Sequence, residues 1–203
     1  MAEQEYRAVL RLASASPRRR QLLDLIGVPH LVTPADIDET PQASEKADEY
    51  VMRLAREKAE AIWARHQDLP VLAADTTVVV DQEILGKPES EADAAAMLGK
   101  LSGREHLVHT GFALRAGASV HVGISSTRVS FAVLTPAQIH AYWASGEPLG
   151  KAGAYAIQGL GAVFVSKIAG SYTGVMGLPL FETAEMLRAH GVPVWSGTLR
   201  GTK

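Results

Sequence analysis

Cysteine is absent from the 203-residue chain. That removes disulfides, zinc–thiolate sites and cysteine nucleophiles from consideration. Aromatic residues make up only 6%, and no stretch interleaves them with basic residues as a nucleic-acid platform would. Basic residues hold no majority either: 20 Lys and Arg against 22 Asp and Glu give a net charge of −2. A duplex-coating protein draws most of its affinity from phosphate neutralisation, so no stable nucleic-acid partner is expected without a local patch. No run approaches the roughly 18 apolar residues of a membrane-spanning helix, so no membrane association is expected. Residues 1–12, MAEQEYRAVLRL, carry Glu3, Glu5 and Arg7 where a signal peptide needs a continuous apolar core. The expectation is a protein without a secretory signal, located in the cytoplasm. Residues 196–203 read as an ordinary tail.

Several motifs are missing as well. No GxxxxGK[ST], HExxH or GxSxG occurs, which argues against a P-loop, a zincin site and a serine-hydrolase elbow. Gly159-Leu160-Gly161 lacks the third glycine of GxGxxG, and the residues after it read as strand, so a Rossmann site is rejected. His106 and His109 stand in a strand context and read as core or surface histidines.

What remains is ordinary globular material, 47% hydrophobic and 21% charged. No repeat, low-complexity tract or linker breaks it, so residues 1–203 read as one domain. Strands are expected at residues 8–13, 30–33, 71–80, 107–114, 120–134 and 162–168. The pair at 107–114 and 120–134 should be antiparallel across 115–119. Ser16-Pro17 opens a helix to about residue 26, a serine cap followed by proline at the first position. Further helices are expected at 44–66 and 90–101, from Thr135-Pro136, and from Leu178-Pro179 to about 190. This alternation predicts an α/β protein with a mixed sheet flanked by helices.

Three features do not suit a purely structural role. In the 44–66 helix, taken at about 100° per residue, Ala47, Tyr50, Val51, Leu54, Ala55, Ala61 and Ile62 share a face with Lys58 in its middle. A lysine there must snorkel, pair with a carboxylate or meet an anion. Asp75 interrupts an apolar β-type run, LPVLAADTTVVV. It marks a strand end or turn, or else it is a metal ligand or general base. Ser14-Ala15-Ser16-Pro17-Arg18-Arg19-Arg20 crosses a strand-to-helix junction, where helix amides and arginines suit phosphate oxygens. Arg20 cannot share a face with both neighbours and reads as solvated surface charge. The acidic loop Asp36-Ile37-Asp38-Glu39 is either a solvated loop or a source of magnesium ligands. Lys87, in Leu85-Gly86-Lys87-Pro88, sits in a turn that could aim its amine at a site. Together these groups point to a metal-dependent nucleotide or phosphoester hydrolase.

Blocks LASASPRRRQLL (12–23), DIDET (36–40), RLAREKA (53–59), AADTTVVVDQEILGKP (73–88), KLSGREHLVHTGFAL (100–114) and KAGAYAIQGLGAVFVSKIAGSYTGVMGLPLFET (151–183) follow one another in order. With them the chain resembles the Maf family of nucleoside triphosphate pyrophosphatases. The resemblance implies a twisted mixed sheet in two lobes with a cleft between them, akin to inosine triphosphatases, and a homodimer. It implies cleavage of a nucleoside triphosphate between the α and β phosphates with a divalent metal, magnesium or alternatively manganese. It places Ser14, Arg18 and Arg19 on substrate contacts, and Lys58 and Lys87 on catalytic lysines. Asp75 falls on the proton acceptor or a metal ligand, and Glu39 on a second metal ligand. Arg18, Thr76 and Gln158 resemble the branch acting on dTTP and UTP. A glutamine offers a pyrimidine edge both a donor and an acceptor. Gly150 and Ala156 depart from the aspartate and glycine common at these places. The alternatives are a pyrophosphatase for modified purine triphosphates and a nucleic-acid-binding or septum-formation regulator.

Overall fold

The computed structural model describes residues 7–196. The readings of the chain's first residues and of its tail fall on 1–6 and 197–203, outside the described residues. The order is β1 (Leu10–Leu12), α1 (Pro17–Leu25), β2 (His30–Val32), α2 (Ala47–Trp63), β3 (Val71–Val80), β4 (Glu83–Leu85), α3 (Glu91–Leu101), β5 (Glu105–Ala116), β6 (Ser119–Phe131), α4 (Pro136–Ala144), β7 (Val165–Ala169), α5 (Tyr172–Met176) and α6 (Leu180–Ala189). The strands form one mixed sheet in the order β2-β1-β3-β5-β6-β7, with β4 also paired to β3. β1 runs parallel to β2 and β3, and the remaining pairs are antiparallel.

The antiparallel β5–β6 pair forms as expected, but β5 is longer than expected, the turn narrows to Gly117 and Ala118, with φ +55° at the glycine, and β6 stops at Phe131 where strand was expected to 134. Two further boundaries differ. The 44–66 helix starts only at Ala47, because Ser44 takes a φ of +62° that a helix cannot use. Residues 162–168 are not one strand: a 3-10 turn, Leu160–Phe164, precedes β7. The reading of strand directly after Gly159-Leu160-Gly161 is corrected with it. Two elements were not anticipated. β4 pairs with β3 across Asp81-Gln82, both at positive φ, a tight hairpin made without the Asn-Gly signal that usually marks one. The short α5 is capped by Ser171, which accepts from Gly174 N.

Alternation along β3 divides the core. Val71 and Ala73 face α2 and pack with Ala55, Ala59 and Ile62. Leu72 and Ala74 face the other way, into a cluster of β1, α1 and α6 residues including Leu10, Leu23 and Leu187. Val78 and Val80 join a third cluster with Leu98 of α3, Phe131 of β6 and Tyr142 of α4. The last two clusters are the two lobes. They share β3, and between them its edge is open. β1 pairs only as far as Leu72 and β4 only from Val78 onward, so residues 73–77 have no strand beside them there. A sheet edge stripped of its neighbour exposes backbone and side chains from both faces at one place.

Candidate active site

At this gap lies a cleft of about 480 Å³. Asp75 is the fifth residue of the ten-residue β3, so the turn alternative for it is discarded. It faces α2, where Lys58 is only 6% exposed. Lys58 Nζ donates to Asp75 Oδ1 at 2.6 Å and pairs with Glu39 Oε1 at 2.7 Å. The inward lysine is thus neither snorkelling nor bound to a single partner: it stands between two carboxylates. Asp75 Oδ2 has no hydrogen-bond partner among the described residues.

Glu39 reaches that position because α2 pins its loop. Tyr50 Oη donates to the Glu39 carbonyl at 2.9 Å and Arg53 Nη2 to the Thr40 carbonyl at 3.2 Å. Burial pushes the Glu39 carboxyl up, but Lys58, Lys87 and Arg19 outweigh it and hold it below its ordinary value. The Tyr50 hydroxyl is pushed up to about 12 by burial and by the charges of Asp75 and Glu39.

α2 itself sits unusually close to the sheet. Gly111 of β5 pairs with Asp75 across the ladder, and a Cβ on Gly111 would stand 2.3 Å from the Val51 carbonyl oxygen. The missing side chain lets the helix backbone touch the strand. Val51 lies seven residues before Lys58, two turns along the same helix face.

Thr76, the next residue, points to the opposite face. Its Oγ1 accepts from Arg19 Nη2 at 3.1 Å and lies 2.9 Å from Thr110 Oγ1. Thr110 gives its one hydroxyl proton to the Gly174 carbonyl at 2.8 Å, so the Thr76 proton must go to Thr110. That leaves a Thr76 lone pair for the arginine. Arg19 also donates to Ser14 Oγ at 3.1 Å and to the Gly177 carbonyl at 2.8 Å. Arg18 Nε donates to the Met176 carbonyl at 3.2 Å. Burial lowers the pKa of both guanidiniums, opposed at Arg19 by Asp75. Arg20 is exposed and 3.9 Å from Asp24, a surface charge as expected.

Lys87, on the loop after β4, and Gln158, on the loop before the Leu160–Phe164 turn, are exposed and line the same cleft. Gly150, with φ +68°, and Ala156 line it too. The structure therefore brings Ser14, Arg18, Arg19, Glu39, Lys58, Asp75, Thr76, Lys87 and Gln158 to one cavity. Sequence reasoning missed Lys151, whose pKa is lowered by burial and by neighbouring Arg18; its place two residues past Leu149 in a loop carries no periodic signal. Tyr50, Arg53 and Thr110 were also missed as supporting residues. His106 is a core histidine, Nε2 at 2.9 Å from Tyr155 Oη, and His109 meets Ser126.

Among the described residues no group of three or more His, Cys, Asp or Glu side chains converges. Glu39 and Asp75 do converge, on an ammonium that already marks a cation position between them. Two carboxylates with room for phosphate oxygens and water suit a hard cation such as Mg²⁺.

Residues 9–190 match the family model described as Maf-like protein. The chain belongs to that family. Its curated Maf relatives include a protein named dTTP/UTP pyrophosphatase from Methylobacillus flagellatus, 55% identical over 185 residues, 90% of this chain and 93% of that one. Proteins of the same name from Bordetella parapertussis and Bordetella avium are 55% and 52% identical, covering 91% and 90% of this chain and 94% and 96% of theirs. Among solved structures, the Ham1 protein of Staphylococcus aureus aligns over 61% of this chain and 71% of its own, with 16% identity and a TM-score of 0.46. No helix of the described residues is long and apolar enough to cross a membrane.

Proposed function

We propose that this Maf protein hydrolyses dTTP and UTP to the nucleoside monophosphate and pyrophosphate. The observation that carries the reading is a charge arrangement. A buried lysine sits between two carboxylates on one side of the β3 gap, and two arginines paired only to neutral acceptors stand on the other. The names of its Maf relatives supply the substrate.

In this reading Arg18, Arg19 and Lys87 bind the triphosphate, and the helix start at Ser16, which makes no side-chain cap, leaves first-turn amides for phosphate oxygens. Asp75 Oδ2 orients the attacking water and accepts its proton as the water oxygen bonds to the α-phosphorus. The bond from that phosphorus to the bridging oxygen breaks, and pyrophosphate leaves. Lys58 and the arginines stabilise the negative charge that develops on the phosphate oxygens. Glu39 would hold Mg²⁺, which when bound supplies neutralisation of the phosphate charge; Asp75 is its second ligand only where it is not the base, since Oδ1 is bonded to Lys58 and Oδ2 serves one role at a time. Arg18, Thr76 and Gln158 set base selectivity. A cytoplasmic location fits a nucleotide-pool substrate, and the homodimer rests on the family resemblance.

The test is pyrophosphate release from dTTP, UTP, CTP, 7-methyl-GTP and inosine triphosphate, with magnesium and with chelator. Magnesium-dependent release chiefly from dTTP and UTP is the expected result. Release from inosine triphosphate alone would keep the reaction and overturn the selectivity. No release from folded protein would overturn both.

A further inference from the structure

Gln158 is exposed, yet the segment that carries it is anchored on both sides by one hydrogen-bonded pair, Glu147 at the amides after it and Tyr142 at the amide before it. Glu147, in the turn after α4, accepts three hydrogen bonds. Tyr142 Oη donates to Oε1 at 2.7 Å, Gly161 N to Oε1 at 2.9 Å and Leu160 N to Oε2 at 2.9 Å. Tyr142 spends its single proton on Glu147, and its oxygen accepts from Ala156 N at 3.0 Å. The amide of residue 156 and those of 160 and 161 are therefore tied to one Tyr–Glu pair. Between them Gly159 N bonds the Ala156 carbonyl at 3.2 Å, a turn with Gln158 at its third position.

The glycines show how tightly this is built. A Cβ on Gly159 would lie 2.0 Å from Glu147 Oε2, and one on Gly161 would lie 2.7 Å from Tyr142 Oη. Burial pushes the Glu147 carboxyl up, but the Gly161 and Leu160 amides and the Tyr142 hydroxyl outweigh it and hold it below its ordinary value. It is ionised at neutral pH and accepts charge-assisted bonds, stronger than neutral ones.

We infer that Glu147, through Tyr142, is a positioning residue for base selectivity: it fixes the turn that presents Gln158 to the nucleobase. This rests on the reading of Gln158 as a base contact. Glu147 touches neither the phosphates nor the reacting atoms. Its removal should loosen recognition of the base and spare the chemical step.

The experiment measures kcat and KM for dTTP and dCTP in the wild type, Gln158→Ala, Glu147→Gln and the double variant. Glu147→Gln should narrow the dTTP/dCTP ratio of kcat/KM about tenfold, the worth of roughly one good hydrogen bond. The change should lie in KM, with kcat for dTTP nearly retained, and Glu147→Gln should add nothing in the Gln158→Ala background. Tyr142→Phe, which keeps the ring and removes both bonds, should behave like Glu147→Gln and replaces it should that variant not fold. An effect of Gln158→Ala on the ratio without any from Glu147→Gln and Tyr142→Phe overturns the positioning role alone. An equal loss of kcat on both nucleotides, with the ratio intact, also overturns it. No effect of Gln158→Ala on the ratio overturns the base-contact reading, and the inference falls with it.

Discussion

Asp75 and Thr76 are neighbours on one strand, and they build opposite kinds of surface. On the α2 side, Asp75 and Glu39 neutralise Lys58 within 2.7 Å. On the other side, Arg19 is held by a serine, a threonine and a backbone carbonyl, and Arg18 by a carbonyl. Neither arginine has an ion pair among the described residues. Lys58 is held between two carboxylates of the protein, while the two arginines are oriented by neutral acceptors alone. The period-2 alternation of a strand, at a gap where both faces open to one cleft, is what lets adjacent residues separate these tasks.

The comparison breaks most visibly at Asp75. Asp75→Asn keeps an oxygen for Lys58 Nζ and removes the negative charge and the basic oxygen. Turnover should fall by about a thousandfold, within the range for a lost general base. Pyrophosphate release is the measurement, with circular dichroism to show that the fold persists. Near-normal turnover in the folded variant would remove Asp75 from the chemistry.

On the neutral side the matching change is Arg19→Lys. It keeps the charge, but a single ammonium cannot donate to Ser14 Oγ, Thr76 Oγ1 and the Gly177 carbonyl together while presenting a fork to phosphate. We expect kcat/KM for dTTP to drop about a hundredfold, near the upper end of what one lost charged hydrogen bond costs. An unchanged value would mean that charge alone matters on this face, and the contrast drawn above would lose its basis.

The two faces were not equally legible in the sequence. Lys58 and Asp75 stood out because each is the wrong residue type inside a periodic apolar pattern, and burying such a group alone is costly. The arginines were legible as part of a helix start. Lys87 was readable only as a lysine in the turn Leu85-Gly86-Lys87-Pro88, and Gln158, an exposed loop residue that no pattern marks, entered only through the family's motifs. Glu147 was invisible, because its partners are mainly backbone amides and any residue type supplies those. β4 escaped for a related reason: Asp81-Gln82 makes its turn at positive φ without glycine. Patterns report burial of side chains and say little about backbone partners.

The close approach of α2 offers a finer probe. Gly111→Ala would place a methyl 2.3 Å from the Val51 carbonyl oxygen, directly across the ladder from Asp75. The helix must shift, at about 1–3 kcal/mol as for other overpacked sites. Urea denaturation should show that loss, and turnover should fall with it as Lys58 moves off Asp75. Gly86→Ala is the control, since nothing lies within 4 Å of its added Cβ. Equal behaviour of the two variants would show that the helix contact does not position the charged side.

The smallest effect at neutral pH concerns His106, on the same face of the sheet as Thr76. It is 3% exposed, packs edge-on against Phe131 and Tyr155, and burial pushes its pKa down to about 4. The unfolded chain holds a histidine near its ordinary 6.5, so between 6.5 and 4 the unfolded state binds the extra proton. This group's contribution to stability is therefore complete above pH 6.5, is lost as pH falls toward 4, and changes little below that. The full loss is on the order of 3 kcal/mol. Urea midpoints measured from pH 7 to 4 should show the slope, and His106→Gln, which keeps a partner for Tyr155 Oη, should flatten it. An imidazole titrating near 6.5 by NMR would show that this face tolerates charge, and the division between the two sides of β3 would then end at the cleft.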